Sequence, residues 1–175
     1  PSNLHSCGKI GTDLYCWGDN SYGQLGDGTT DAHVVPTKVF GSSDYSKITL
    51  GSMHSCGITS AGTAYCWGNN TNGRLGTGDT KDYATPTAVS TSMHFSDIDA
   101  GRKHTCAVRS DAGYVGEAYC WGDGSKGQLG NGTLADANTP RLVSESLRFS
   151  KIGTGRWHSC GLATDHHIYC WGTCG

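Results

Sequence analysis

Charge is scarce in this sequence. Only 16% of its 175 residues are Asp, Glu, Lys or Arg, and the 13 basic and 15 acidic side chains leave a formal charge of -2. Neither half holds a block of Lys or Arg, which speaks against electrostatic capture of nucleic acid or of an anionic membrane. Long apolar runs are missing as well; none approaches the roughly 18 residues of a membrane-spanning helix, so no membrane insertion is expected. Hydrophobic residues make up 35% of the chain and glycine supplies 27 positions, so one large core is out of reach and many small units must share the burial. An apolar period of 3.6 is nowhere sustained, glycine interrupts nearly every ten-residue window, and β-branched and aromatic residues fill the apolar positions, which excludes helices as the main element. The chain opens at Pro1 with neither a charged nor an apolar leader region, so a secretion signal is expected to have been removed or left out.

What is plentiful is repetition. His-x-Cys, a short Gly-bearing stretch and Tyr-Cys-Trp-Gly recur with tryptophans at Trp17, Trp67, Trp121 and Trp171. A period of about 50 residues signals a propeller, solenoid or array. The second unit reads Cys56, Trp67, Asn70, Gly73-Arg74-Leu75-Gly76, Pro86, Val89, Phe95, Ile98 and Gly101; the first and third follow the same order, the third with extra residues around Asp111 to Glu117. The chain divides into units 1–50, 51–100 and 101–154 and a partial unit 155–175, treated together as one domain. In Tyr65-Cys66-Trp67 the pleat sends the sulfur to one face of a sheet and the rings to the other. A small sheet that is apolar on both faces needs neighbouring sheets, and radial stacking of blades supplies them.

Eight of the nine cysteines fall into local pairs, Cys7 with Cys16, Cys56 with Cys66, Cys106 with Cys120 and Cys160 with Cys170, each bracketing a turn-forming stretch. Residues opposite one another at a non-hydrogen-bonded site of a hairpin lie about 4.5 Å apart at Cα, within reach of a disulfide. Bridged pairs imply an oxidising, extracellular setting and about 2 to 3 kcal/mol of stabilisation each. The competing reading is reduced, buried cysteine. Cys174 has no internal counterpart, so it pairs with another molecule, stays a reactive thiol, or joins a cysteine upstream.

The run W-G-D-N-S-Y-G-Q-L-G-D-G-T-T at Trp17 to Thr30 and W-G-N-N-T-N-G-R-L-G-T-G at Trp67 to Gly78 closely resemble the regulator of chromosome condensation repeat. The resemblance covers essentially the whole chain. It implies an all-β fold, a β-propeller of four-stranded antiparallel blades of about 50 residues, usually seven to a ring. The paired cysteines resemble a secreted branch of that family rather than its nuclear member, which exchanges guanine nucleotide on a small GTPase. Three full units plus a final hairpin are short of a seven-blade ring. Two chains completing one ring, a segment of a longer polypeptide, and closure with fewer blades all remain open.

Candidate chemistry is thin. His5, His54, His104 and His158 share a strand face with cysteine, which resembles a zinc set, but each unit offers three ligands and the thiols would oxidise first. A histidine bonded to a neighbouring loop is the expected use. Gly122-Asp123-Gly124-Ser125-Lys126-Gly127 fits a pyrophosphate loop, yet it is a repeat variant in which Gly124 replaces Asn20 and Asn70, and no helix is predicted to follow. The Asp27 to Asp31 loop lacks the ligand count of a calcium site and reads as a solvated turn. No serine elbow or paired carboxylates recur, so no catalytic residue, metal or cofactor is assigned.

The informative positions are those that do not repeat. Before each central histidine stand Asn3-Leu4, Ser52-Met53, Arg102-Lys103 and Arg156-Trp157. Such positions belong to rim loops, where binding residues are carried, and Arg and Trp favour interface hot spots. Met53, Arg102, Lys103, Arg156 and Trp157 are therefore the candidate partner-binding residues. The leading expectation is a secreted, non-enzymatic propeller that binds a protein or joins copies of itself. A lectin using Trp157, Asn20 and Asn70 to hold a glycan is the alternative, and guanine-nucleotide exchange rests on family analogy alone. Asn69 and Asn131 head two glycosylation sequons in predicted loops, and His166-His167 reads as an exposed hairpin tip.

Overall fold

The computed structural model describes residues 4–41 and 44–173. Asn3 and Cys174 lie outside the described residues. All regular structure there is β apart from one 3-10 turn at Thr71–Gly73. Strands β1 (His5–Ile10), β2 (Asp13–Gly18) and β3 (His33–Lys38) form a first antiparallel sheet. β4 (Tyr45–Leu50), β5 (His54–Thr59), β6 (Ala64–Gly68) and β7 (Tyr83–Ala88) form a second. β8 (Phe95–Ala100), β9 (His104–Arg109), β10 (Ala118–Gly122) and β11 (Ala137–Leu142) form a third, and β12 (Phe149–Thr154), β13 (His158–Ala163) and β14 (Ile168–Gly172) a fourth.

The sheets are out of phase with the sequence repeat. The last strand of each unit, β4, β8 or β12, pairs with the first strand of the next, so three repeats yield two four-stranded blades flanked by three-stranded sheets. Each blade thus clamps consecutive units together through its own hydrogen bonds. β4, β8 and β12 are also the strands that meet across blades. Asp99 of β8 accepts hydrogen bonds from Thr49 Oγ1 at 2.8 Å on one side and from Thr154 N and Oγ1 at 2.7 and 2.8 Å on the other.

The proposed cysteine couples face one another in register, with Cα separations of 4.1, 4.1, 4.1 and 4.0 Å, and all are disulfides. Both faces of the middle blades are buried: Cys56, Cys66 and Trp67, like Cys106, Cys120 and Trp121, have no solvent exposure. Trp67, Trp121 and Trp171 each pack beneath the G-x-L-G loop of the unit before, at Gly26, Gly76 and Gly130. A Cβ on Gly26, whose φ is +76°, would stand 2.6 Å from Trp67 Nε1, so only glycine permits that approach.

The junction has a polar component too. Ser55 Oγ donates to Gln24 O at 2.8 Å, Thr105 Oγ1 to Arg74 O at 2.8 Å, and Ser159 Oγ to Gln128 O at 2.9 Å. With its only proton committed, each hydroxyl receives the Nε2–H of the preceding histidine: His5 to Ser55 at 2.8 Å, His54 to Thr105 at 2.9 Å, His104 to Ser159 at 2.8 Å. The histidines' Nδ1 atoms are buried and without a hydrogen-bond partner among the described residues, so no acceptor supports a second proton and the rings are neutral. Burial lowers His5 and His104 to about 4 and puts His54 well below its ordinary value.

Candidate functional site

The turns joining β4 to β5, β8 to β9 and β12 to β13 stack side by side at one end of the inner strands. Ser52 N donates to Gly101 O at 3.3 Å and Arg102 N to Gly155 O at 3.2 Å, so each turn hangs on the next. The carbonyls of Met53, Lys103 and Trp157 accept N–H groups of Asn69, Asp123 and Thr173, each at 2.9 Å. The backbone here is fixed by its neighbours. Its side chains are left free to vary.

Four of the five predicted partner-binding residues come together. Arg102 Cζ lies 5.0 Å, Arg156 Cζ 5.3 Å and Lys103 Nζ 6.0 Å from the ring centroid of Trp157, within cation–π range. Among the described residues, none of these three cations donates a hydrogen bond to a protein acceptor, whereas Arg109 is tied to Asp111 at 2.7 Å. Met53 stands apart on the adjacent turn, 39% exposed. Beside the cluster opens a cavity of ≈ 200 Å³ lined by Gly51, Ser52, Asp99, Ala100, Arg102 and Thr154.

Beneath it sits a cation the repeat pattern did not single out. Arg74, 2% exposed, replaces the glutamine of the other units; its Nε donates to Thr71 O at 3.0 Å and its Nη1 to Arg102 O at 3.2 Å. Burial lowers it to about 10, against the pull of Asp82 and Asp123. Burial pushes Asp123 upward, but bonds from Ser125 and the charge of Lys103 outweigh it and hold the carboxyl below its ordinary value. The departure from G-Q-L-G at Arg74 was the available signal, and the hydroxyl that follows each histidine (Ser55, Thr105, Ser159) was the signal for the junction.

Other sequence assignments are corrected. Asn20 and Asn70 are fully buried: Leu25 N and Leu75 N each donate to their side-chain oxygens at 2.9 Å, and their Nδ2 groups are spent on Thr29 and Asp27, and on Thr77 and Asp79. They brace the loop from inside and offer no amide to a glycan. Gly124 gives up that brace because a Cβ there would come 2.0 Å from Ala135 O. Asn69, at 5% exposure, is also packed inside, which removes it as a glycan acceptor on the folded chain. Asn131 is half-buried, its Oδ1 accepting from Thr133 N at 3.1 Å and Oγ1 at 3.0 Å. Asp27 is not a solvated turn residue, since its carboxylate accepts from Thr29, His33 Nε2 at 2.7 Å and Asn20. Burial alone would raise its pKa, but those bonds lower it below its ordinary value. The eight paired thiols are bonded to one another, which leaves the histidines without thiolate co-ligands. His166 and His167 are exposed, as expected of a hairpin tip.

Comparison with known proteins bears on fold and family. The chain is 33% identical over 155 residues, 86% of its length, to the human E3 ubiquitin-protein ligase HERC2, of which it spans 3%. Human WBSCR16 superposes with a TM-score of 0.83 at 22% identity, covering 97% of this chain and 45% of that one. Prp20p from Saccharomyces cerevisiae gives 0.80 at 20% identity, covering 98% and 42%. The ectodomain of the Physcomitrella patens receptor kinase CR4 gives 0.61 at 25% identity, covering 97% and 38%. This chain thus spans less than half of each of these structures. No helix among the described residues is long and apolar enough to cross a membrane. The family model described as the regulator of chromosome condensation (RCC1) repeat matches residues 13–58, 61–108 and 115–162, and a second model of the same repeat matches 45–74 and 95–128. The chain has a β-propeller fold and belongs to the regulator of chromosome condensation (RCC1) repeat family.

Proposed function

We propose that this chain is a secreted, non-enzymatic protein-interaction module, residues 1–175 acting as one propeller-type domain that docks a protein partner on the rim built by Arg102, Lys103, Arg156 and Trp157. One observation carries the reading: the repeats diverge in side chain at turns whose backbone is hydrogen-bonded to the next turn and to the neighbouring loop, and there the divergent residues converge on one ring. An ordered backbone presenting Arg and Trp is how interface hot spots are built. Four disulfides favour an extracellular site of action. The CR4 neighbour is an ectodomain, and Prp20p, which shares the fold, is described with binding properties to Gsp1p and histones.

Expression with a secretion signal and a photo-crosslinking residue at position 156 tests this. Discrete protein adducts at 156, absent when the probe stands at position 164 on the opposite end of the fourth sheet, are expected, together with about one free thiol in the denatured, unreduced chain. Equal labelling at both positions, or nine free thiols, overturns it. Self-association is a second reading, favoured by Ile168 and Tyr169, 72% and 36% exposed on β14. Native mass with and without reductant separates the two, and would also reveal a role for Cys174.

A further inference from the structure

We infer that the Arg102–Trp157 rim recognises a short acidic peptide segment, a run of Asp or Glu side chains on the partner; the inference rests on the protein-docking reading and gives that partner its chemistry. Three cations meet around one indole, and their N–H donors are unspent within the described chain. Of the other arginines, Arg74, Arg109 and Arg148 donate to carbonyl or carboxylate oxygens, while Arg141 on β11 is exposed and single; among the described residues only the rim gathers several unspent cations on one ring. The nearest carboxylates are already committed, Asp99 to Thr49 and Thr154, Asp123 to Ser125. Among the described residues neither accepts a hydrogen bond from Arg102, Lys103 or Arg156, which leaves the outward forks open.

The planar guanidinium matches a carboxylate through two parallel hydrogen bonds, and the indole holds Arg102 and Arg156 in place before the ligand arrives. That lowers the ordering cost of binding. The same ring cannot cage a quaternary ammonium, because the cations already surround it. Nor does the surface suit a long polyanion: the whole chain carries a charge of -2, and the loops on this end of the blades bear Asp19, Asp27, Asp79, Asp82 and Asp136. The positive field is local, spanning one turn and its neighbour, which fits a few side chains rather than a sulfated glycan or nucleic acid. The adjoining cavity of ≈ 200 Å³ has room for one side chain, with Arg102 on its wall.

The test is fluorescence anisotropy of dye-labelled hexaglutamate with the disulfide-bonded chain, over a series of salt concentrations. Saturable binding that weakens as salt rises is expected, falling about tenfold or more in Arg156→Glu and in Arg102→Ala. Arg102→Lys, which keeps charge but loses the fork, should sit between. Lys38→Glu, the same charge reversal on the outer strand β3, should change affinity less than about twofold. Intact disulfides and an unchanged far-UV spectrum verify that each variant is folded. No saturable binding at low salt, an equal loss in Lys38→Glu, or tighter binding of a sulfated hexasaccharide overturns the inference. Crosslinks at position 156 without hexaglutamate binding leave the docking reading standing and remove only the acidic segment; failure of both removes both.

Discussion

Trp67 and Trp17 occupy the same place in the repeat, yet Trp67 has no exposure while Trp17 is only half-buried. The strands around them are alike, and both tryptophans follow a disulfide-bonded cysteine. What differs is the neighbour. Trp67 lies under the loop at Gly26 and against Tyr45, ring centroids 6.0 Å apart, whereas no G-x-L-G loop of a preceding unit covers Trp17 among the described residues. Ser6 and Ser55 repeat the contrast, one exposed and the other fully buried. A unit here owns only half of its core; the other half forms when the next unit arrives, as in other repeat arrays.

The sharpest way to break that comparison is to truncate both rings. Trp67→Ala should cost about 3–5 kcal/mol, the usual range for emptying a fully packed aromatic site, and Trp17→Ala less than half as much. Urea unfolding with a common m-value measures both. Equal losses would mean that the half-exposed ring is as well packed as the buried one.

Acid should act on the junctions next. His5 and His104 have folded values of about 4 against 6.5 when unfolded, so the unfolded chain binds protons that the native chain refuses. Stability is complete above pH 6.5 and falls as pH drops toward 4. By pH 5 the loss is about 2 kcal/mol per histidine, with His54 adding in the same direction. Asp111, held at about 2 by Arg109 and then His94, titrates below this window and does not confuse it. Unfolding midpoints at pH 7.5 and 5.0 measure the effect, and His104→Gln should remove one increment of the slope. A flat profile would refute the neutral clasp.

The sequence disclosed much of this and concealed the rest for physical reasons. Cysteine couples were readable because residues opposite each other in a hairpin keep a fixed offset, and all four pair as expected. Blade phase was not readable, since a periodic string has no marked beginning and the bond between β4 and β5 crosses the apparent unit boundary. Asn20 and Asn70 sit in Gly- and Asp-rich stretches that read as exposed loops, but the loop folds over its own asparagine and buries it. At Trp157 the divergent pairs gave the right neighbourhood. That three cations would gather on one ring required the turns to be stacked in space.

A smaller effect separates an occupied junction from an open one. Thr105→Val keeps the shape but strands His54 Nε2–H and the Arg74 carbonyl, and should cost about 1–3 kcal/mol. Ser6→Ala, at the exposed position, should change stability by less than about 0.5 kcal/mol. Equal losses in the two variants would show that the hydroxyl stabilises its own strand rather than the contact between units.

The smallest effect concerns how alike the two middle units are. Gln24 accepts from Tyr22 N at 2.9 Å and Gln128 from Lys126 N at 2.8 Å, each closing its own loop, while Arg74 at the same position reaches across to Arg102 O. In Arg74→Gln the amide can close the loop as in the other units and the desolvation of a buried cation is relieved. Against that, Asp82 and Asp123 lose a positive neighbour. The opposing changes should leave unfolding free energy within about 1 kcal/mol of the parent, since exchanging a buried ionic group for a well-fitting neutral one is often near neutral. A loss above about 3 kcal/mol would instead be that of a broken buried ion pair. Arg74 would then be the support on which the Arg102 turn depends, and the hexaglutamate affinity of the same variant would fall with its stability rather than independently of it.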